Sequence, residues 1–343
     1  MNRGMLPIAD LHTHPLLPMY YFGKDLKTRH RPARFFPYTP LGTHIDIPRL
    51  QESGVKLIVC CVYALNRGIR RNCFEVAKDQ IRLFETWVQE NSGLIGHAKS
   101  PAEIDSILAS GRIVAVLSLE GGHHVAGDVD HLKYFRDAGI FYITLVHFMN
   151  SAVAESSLMR NISPEPPLRP FGRDLIAAMD RLGIVSDVAH CSEAAFWKVL
   201  EIAKIPPIYS HGGAQFLCRH HRNLTDDQGR ALAQKGGLVG VILYPGYLRR
   251  GALKGTVTDV VRHLEHWVKV IGPEAIAIGS DMNGVMVLKD VFDYSQMPLL
   301  QEAVVTEFGE TLARKILFDN TLDYMKRVWT QSSSPLDSTR YGS

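Results

Sequence analysis

The stretch "IADLHTHPLL", residues 8–17, predicts the first strand of the fold and ends that strand on two histidines. Small and apolar residues lead to His12 and His14, and Pro15 then stops the run. On a β-strand, residues i and i+2 point to the same face, so we expect the two imidazoles to project together from the strand end. The pair predicts a site at this end of the sheet.

The rest of the chain alternates short β-branched runs with longer amphipathic segments. Strands are predicted at residues 6–12, 55–63, 112–119, 140–146, 184–189, 206–210, 237–243 and 275–280. Helical patterns lie between them, at residues 72–91, 101–110, 128–138, 172–182, 192–204, 225–235 and 256–271. Eight such β/α units predict a parallel sheet that closes into a (β/α)8 TIM barrel. A doubly wound open sheet is the alternative, disfavoured because no glycine-rich phosphate fingerprint follows the first strand.

The predicted organisation is a single barrel over residues 1–330, followed by a tail. Residues 15–47 read as a long loop inserted after strand 1. Residues 331–343, "QSSSPLDSTRYGS", are polar, and we expect them to be disordered.

Composition excludes several kinds of partner. The net charge is only +3, which gives no support for a nucleic-acid surface or a polybasic membrane contact. No apolar run reaches the roughly 20 residues that span a bilayer, and we find no signal-peptide pattern. The five cysteines are scattered without CxxC spacing, so we expect a protein of the reducing cytoplasm.

Most of the predicted strands end in imidazole or carboxylate side chains. They are His12 and His14 at strand 1, Glu120 at strand 3, His147 at strand 4, His190 at strand 5, His211 at strand 6 and Asp281 at strand 8. Taken singly, each has an ordinary explanation as a packing histidine, a turn residue or a helix cap. The carboxyl ends of barrel strands meet at one mouth. Seven such side chains, each at a predicted strand end, therefore predict a site for zinc or a similar divalent metal there.

These motifs resemble a known family. The segments are "THIDIPRLQESGV", "LEGGHHV", "ITLVHFMN", "GRDLIAAMDRLGIVSDVAHCSEAAF", "IYSHGGA", "HRNLTDD" and "IGSDMNGV". With these segments in this order, the chain resembles the membrane (renal) dipeptidase family of the metal-dependent amidohydrolase superfamily. The resemblance runs from about residue 8 to residue 328.

The resemblance implies a site for two divalent metal ions, expected to be Zn²⁺. His12 and His14 would hold one metal, His190 and His211 the other, and Glu120 would bridge both. The family usually carries His-x-Asp on strand 1, whereas this chain has His-x-His. A neutral ligand in place of an anionic one leaves the site more positive, which we expect to weaken the first metal or acidify its water.

The resemblance also implies roles in catalysis and substrate binding. His147 would contact the scissile carbonyl, Arg222 would bind a substrate carboxylate, and Asp281 would be the general acid and base. The expected reaction is attack of a metal-bridged hydroxide on the amide carbonyl of a dipeptide or a related carboxylate-bearing amide. The expected partner is a small-molecule substrate, and family members are often homodimers, although the sequence shows no interface signature.

The sequence is compatible with other functions. One alternative is another amidohydrolase activity at the same metals, on N-acyl amino acids, lactones or nucleobases. Another is a non-catalytic metal-binding barrel, disfavoured because Asp281 and the ligand set are intact. A carboxylated lysine bridge is disfavoured because residues 139–150 contain no lysine, and a mononuclear deaminase would leave Glu120 unexplained.

Overall fold

The computed structural model describes residues 5–30, 44–64, 72–125, 127–162, 164–251 and 254–333. Its strands are β1 (Ile8–Thr13), β2 (Val55–Val62), β3 (Ile95–His97), β4 (Ile113–Glu120), β5 (Ile140–Thr144), β6 (Val185–Asp187), β7 (Ile208–Gly212), β8 (Leu238–Val241) and β9 (Ile276–Ile278). All pair in parallel, in the order β2-β1-β9-β8-β7-β6-β5-β4-β3. A further pairing of β2 with β4 closes the sheet.

The helices lie between the strands and after β9. They are α1 (Leu16–Phe22), α2 (Ile47–Glu52), α3 (Cys73–Glu90), α4 (Pro101–Ala109), α5 (His131–Asp137), α6 (Pro170–Leu182), α7 (Glu193–Ile202), α8 (Asp226–Gln234), α9 (Pro245–Leu248), α10 (Val257–Ile271), α11 (Met297–Arg314) and α12 (Asn320–Ser333). The arrangement is a closed eight-stranded barrel with helices between its strands, so the predicted (β/α)8 fold is confirmed.

The core has two layers, which the alternation of each strand explains. Leu11, Val59 and Val116 point into the barrel and pack with one another, and α12 covers that interior with Trp329. The neighbouring strand residues point outwards and pack under the helices, where Trp267 of α10 is fully buried. Barrel interior and helical layer are therefore both apolar, and polar side chains concentrate at the strand ends.

The structure adds elements that periodicity did not predict. Strand β3 is short and pairs with the first residues of β4, below the point where β5 begins to pair. Helices α11 and α12 follow the last strand, joined by a π-helical turn at Lys315–Asp319. In the segment predicted as a loop, 15–47, α1 forms and ends at Gly23, whose positive φ of 59° suits a glycine C-cap.

Parts of the predicted organisation lie outside the described residues. These are residues 31–43 of the inserted segment and residues 334–343 of the tail. Helix α12 continues to Ser333, past the point where we expected the tail to begin. The division into one barrel domain and a disordered tail stays a prediction.

Candidate metal centre

The five predicted metal ligands meet at the carboxyl end of the barrel. The Nε2 atoms of His12 and His14 lie 3.1 Å apart, and those of His190 and His211 lie 3.0 Å apart. The Glu120 carboxylate lies between the pairs, with Oε1 3.2 Å from His190 Nε2 and Oε2 3.4 Å from His14 Nε2. All five side chains are buried. The geometry is two histidine pairs joined by one carboxylate.

The backbone conformation at the strand ends directs several of these side chains towards the mouth of the barrel. Strand β1 ends at Thr13, and the backbone N–H of His14 donates to the Met282 carbonyl at 2.9 Å. His190 and Asp281 have positive φ angles of 67° and 59°, a conformation that costs a non-glycine residue of the order of 1 kcal/mol or more. The Asp281 N–H donates to the His12 carbonyl at 2.9 Å. Such strain at strand ends is typical of functional sites.

A tyrosine sets the proton position on His12. Tyr142 Oη donates to the Leu11 carbonyl at 2.9 Å, so it accepts from His12 Nδ1 at 2.6 Å. The proton of a neutral His12 therefore lies on Nδ1, and its Nε2 carries a lone pair that faces Glu120. This is the tautomer that binds a metal through Nε2.

A serine and a buried carboxylate likewise hold the proton of His211 on Nδ1. Ser210 Oγ donates to Asp187 at 2.6 Å and accepts from His211 Nδ1 at 2.8 Å. Asp187 also accepts from Thr144 Oγ1 and from the Ala189 N–H, so its charge is fully hydrogen-bonded. The bare Nε2 atoms of His12 and His211 thus converge with the Glu120 carboxylate, a donor set that suits divalent cations. The residues present fit a metal site.

Electrostatics favour metal-binding protonation states. Burial and the charge of Arg222 lower the pKa of His190, and burial together with His12 lowers that of His211, so both are neutral at pH 7. Burial favours the neutral form of Glu120, but the imidazoles of His147, His12 and His190 hold the pKa of that carboxyl well below its usual range. An ionised carboxylate and neutral imidazoles at His190 and His211 are the forms that bind a metal cation. At His12 burial lowers the pKa, but the Glu120 and Asp281 carboxylates outweigh burial and raise it, so a cation would compete with a proton for Nε2.

Asp281 lies beside the first histidine pair. Its Oδ1 is 3.2 Å from His14 Nε2 and 3.9 Å from His12 Nε2. The sequence placed this residue at the mouth, and the structure brings it there, close to the side of the site where this chain has His-x-His.

His147 lies on the other side of Glu120, and a tyrosine orients it. Its Nε2 is 3.7 Å from Glu120 Oε2, and its Nδ1 is 3.2 Å from Tyr63 Oη. Burial lowers the pKa of His147 to about 4. His147 Nε2 faces the Glu120 carboxylate, which favours a proton on Nε2 of the neutral ring, and the Tyr63 hydroxyl can then donate to Nδ1.

Arg222 is a buried cation beside this cluster. Its Nη2 donates to the His211 carbonyl at 3.2 Å, its Nη1 is 3.5 Å from Tyr209 Oη, and its Nε has no partner within the described residues. Asp226 and Asp227, the acidic residues near it in sequence, lie instead within ion-pair distance of Arg230. Within the described part of the chain no carboxylate forms an ion pair with Arg222, so its guanidinium is available to an anion.

Comparison with known proteins identifies the family of this chain. The sequence profile of "Membrane dipeptidase (Peptidase family M19)" matches residues 5–337. The chain belongs to the membrane dipeptidase family. Membership makes it a metal-dependent hydrolase with a metallo-dipeptidase active centre. No helix among the described residues is long and apolar enough to cross a bilayer.

Relatives of this membrane dipeptidase family member include two fungal proteins. Dipeptidase tcpJ of Claviceps purpurea is 28% identical over 318 residues, 86% of this chain and 72% of the relative. Dipeptidase aclJ of Aspergillus oryzae is 30% identical over 285 residues, 79% of this chain and 66% of the relative.

Solved structures show the same fold. Dipeptidase AC, a metallopeptidase of family M19, superposes with a TM-score of 0.84 at 24% identity, covering 95% of this chain and 99% of that one. A metallopeptidase from Rhodobacter sphaeroides, solved with a phosphinate mimic of L-Ala-D-Ala, gives 0.84 at 23% identity over 95% and 100%.

Several neighbours of the ligands were not predicted from the sequence, among them Cys61, Tyr63 and Tyr142. Cys61 of β2 brings its Sγ within 4.8 Å of ligand atoms of His12, His14 and Glu120, and burial raises the pKa of that thiol. Its position at the end of β2 is the available signal, which cysteine spacing alone does not capture. Tyr63 ends the same predicted strand and so carried that signal too, whereas Tyr142 carried none, because its contact joins distant strands.

Removing the Tyr142 hydroxyl tests the tautomer argument. Tyr142→Phe is expected to weaken zinc affinity about 10-fold, since His12 then loses the partner that holds its proton on Nδ1. The measurement is a titration of the metal-free protein against a competing chelator. Tyr324→Phe is the matched control, because its buried hydroxyl donates to the Pro206 carbonyl at the opposite end of the barrel. Equal affinities in Tyr142→Phe and the control would contradict the argument.

Proposed function

We propose that this protein hydrolyses dipeptides with two Zn²⁺ ions, one held by His12 and His14 and the other by His190 and His211, with Glu120 shared. One observation carries the choice of substrate. It is the buried guanidinium of Arg222, which lies beside the histidine pairs without a carboxylate of its own. A dipeptide presents a terminal carboxylate next to its amide bond, and a planar guanidinium fork binds such a group.

The chain's own residues supply the remaining chemistry. When bound, the two ions lower the pKa of a water molecule and polarise the substrate carbonyl. Asp281 accepts a proton from the attacking water and later donates it to the leaving amine, which leaves badly unless protonated. His147 donates from Nε2 to the carbonyl oxygen as negative charge develops there. A Tyr63 hydroxyl that donates to Nδ1 would keep that proton on Nε2.

The alternatives fit these residues less well. A lactone or a nucleobase offers no anionic group to Arg222, so a buried, unpaired cation would bring only its desolvation cost. A non-catalytic metal barrel has no use for Asp281 in a strained conformation beside the ligands. N-acyl amino acids do carry a carboxylate, and they are the second candidate because they satisfy Arg222 in the same way.

Replacing Arg222 tests the choice of substrate. Arg222→Met is expected to raise KM for free dipeptides with a loss of roughly 2–5 kcal/mol in binding, and to change KM for C-terminally amidated dipeptides far less. Steady-state kinetics on matched Ala-Ala and Ala-Ala-amide substrates measure both. Equal losses on the two substrates would show that Arg222 acts only by supporting the fold. Turnover of N-acetyl-alanine without turnover of Ala-Ala would favour the second candidate.

The proposal extends to location and assembly. All five cysteines are free, which supports a reducing compartment such as the cytoplasm. We also propose a homodimer, which light scattering on the purified protein would test.

A further inference from the structure

A second pocket, with a volume of about 500 Å³, lies beside Arg222. It is lined by residues that follow β5, β6 and β7, by Arg250 after α9, and by the start of α8. Four arginines line it, Arg160, Arg219, Arg222 and Arg250, and Glu193 is the one carboxylate among the described lining residues. We call this space the arginine pocket.

The positive charge of the arginine pocket is not neutralised by the protein. Arg222 is buried, whereas Arg160, Arg219 and Arg250 are exposed at the rim, where Arg160 donates from Nη1 to the Ser157 carbonyl at 2.9 Å. Over the described ranges, none of the four arginines lies within 4.0 Å of a carboxylate. Like charges gathered around one cavity repel one another, and an anion in the cavity relieves that repulsion.

Two histidines in the wall respond to this field. Burial, His220, Arg160 and Arg222 lower the pKa of His221 to about 4, and burial with Arg222 lowers that of His220. Both are therefore neutral at pH 7, and the arginines alone carry the positive charge. His221 Nδ1 lies 3.0 Å from Ser157 Oγ, so the wall also offers neutral hydrogen-bonding groups.

Arg222 connects the arginine pocket with the candidate active site. It lines the pocket and also donates to the carbonyl of His211, one of the proposed metal ligands. If Arg222 holds the terminal carboxylate of a dipeptide, the side chain of that same C-terminal residue is the part of the substrate nearest the pocket. An anionic group held by the other arginines of the pocket would therefore belong to that side chain.

We propose that the arginine pocket binds an acidic side chain on the C-terminal residue of the substrate, so that dipeptides ending in aspartate or glutamate are preferred. This inference rests on the proposed dipeptidase function and narrows its substrate class. Two carboxylates on one residue would be bound by neighbouring guanidinium groups, with Arg222 taking the terminal one and Arg160 and Arg219 the side chain.

Kinetics on isosteric substrates test the preference. Ala-Asp and Ala-Asn differ by one charge and almost nothing in shape, and both are assayed with the L and the D form of the second residue. We expect kcat/KM to favour Ala-Asp at least about 10-fold in one stereochemical series. In the double variant Arg160→Met/Arg219→Met, the kcat/KM values for Ala-Asp and Ala-Asn should differ by no more than about threefold. Arg82→Met is the control, because it removes a cation from α3 on the opposite side of the barrel, and it should keep the wild-type ratio.

Binding to the metal-free protein gives a second readout that needs no turnover. By calorimetry, N-acetyl-aspartate should bind at least about 10-fold more tightly than N-acetyl-asparagine, and the double variant should lose the difference. Turnover of Ala-Asn with no preference for Ala-Asp in either series would overturn the pocket assignment while leaving the dipeptidase function intact. Turnover of no dipeptide, with the calorimetric difference present, would overturn the function and support the pocket as an acidic-ligand site. Inorganic phosphate that binds the pocket while both aspartate preferences are absent would also overturn the proposal.

Discussion

Asp281→Asn is expected to lower kcat by at least about 100-fold while the fold and the metal content stay intact. The asparagine amide has the size and shape of the carboxyl group but cannot carry a proton between the attacking water and the leaving amine. KM should change less, because the lost interaction belongs mainly to the transition state. The measurements are steady-state kinetics on Ala-Ala and metal analysis, made on the same purified variant.

The backbone at this position makes asparagine the informative substitution. Asp281 has a φ of 59°, in the left-handed region that asparagine tolerates about as well as aspartate. Alanine would add backbone strain and mix a folding defect with the catalytic one. The buried setting, with Oδ1 3.2 Å from His14 Nε2, is otherwise retained by the amide.

Metal analysis separates two roles that the geometry allows for Asp281. Its carboxylate is near enough to the first histidine pair to contact an ion held there. If Asp281 is a ligand, the variant loses metal in proportion to activity, and the proton-carrier role is wrong. Full metal content with wild-type kcat would remove Asp281 from the reaction altogether. Asp227→Asn, which removes an exposed carboxylate on α8, is the charge control and should keep full activity.

The residues at the strand ends were predictable, because a parallel barrel brings the carboxyl ends of all its strands to one place. His190 and His211 follow separate apolar runs, and parallel strands bring their carboxyl ends to one mouth whatever the connecting helices contain. Tyr142 was not predictable in this way. Its contact with His12 joins residues 130 positions apart and depends on a side chain crossing the barrel interior.

The final helices and the arginine pocket show the same limit. Gly309 interrupts α11 with a φ of 73°, so no continuous helical period runs through residues 297–314. Arg160 and Arg250 are far apart in the chain and follow no motif, so their common cavity emerges only from the folded loops. The periodicity of the sequence therefore predicts the barrel, and the residues at strand ends predict the candidate ligands. The surroundings of those ligands depend on tertiary contacts, which the sequence pattern does not show.

Glu120→Gln is expected to abolish stable binding of at least one metal. Glu120 Oε1 lies 3.2 Å from His190 Nε2 and Oε2 lies 3.4 Å from His14 Nε2, so the two oxygens serve opposite histidine pairs. An amide has one acceptor oxygen and a cationic metal has no affinity for its NH₂ group. Metal content should fall to at most about one equivalent, and kcat/KM should fall by more than about 100-fold.

A stability measurement separates metal loss from misfolding. Glutamine keeps the volume of the buried side chain and removes a charge whose burial is costly, so the metal-free variant should fold. Added zinc raises Tm only if it binds the folded state, so the rise in Tm should be large in the wild type and small in Glu120→Gln. Glu155→Gln is the matched control, because Glu155 is buried and accepts from the Asn161 N–H, a contact that the glutamine oxygen retains. That control should show the wild-type response to zinc. An equal rise in Tm in Glu120→Gln, with full metal content, would mean that each histidine pair holds its ion without a shared carboxylate. Glu120 would then not be a ligand common to the two proposed metal ions.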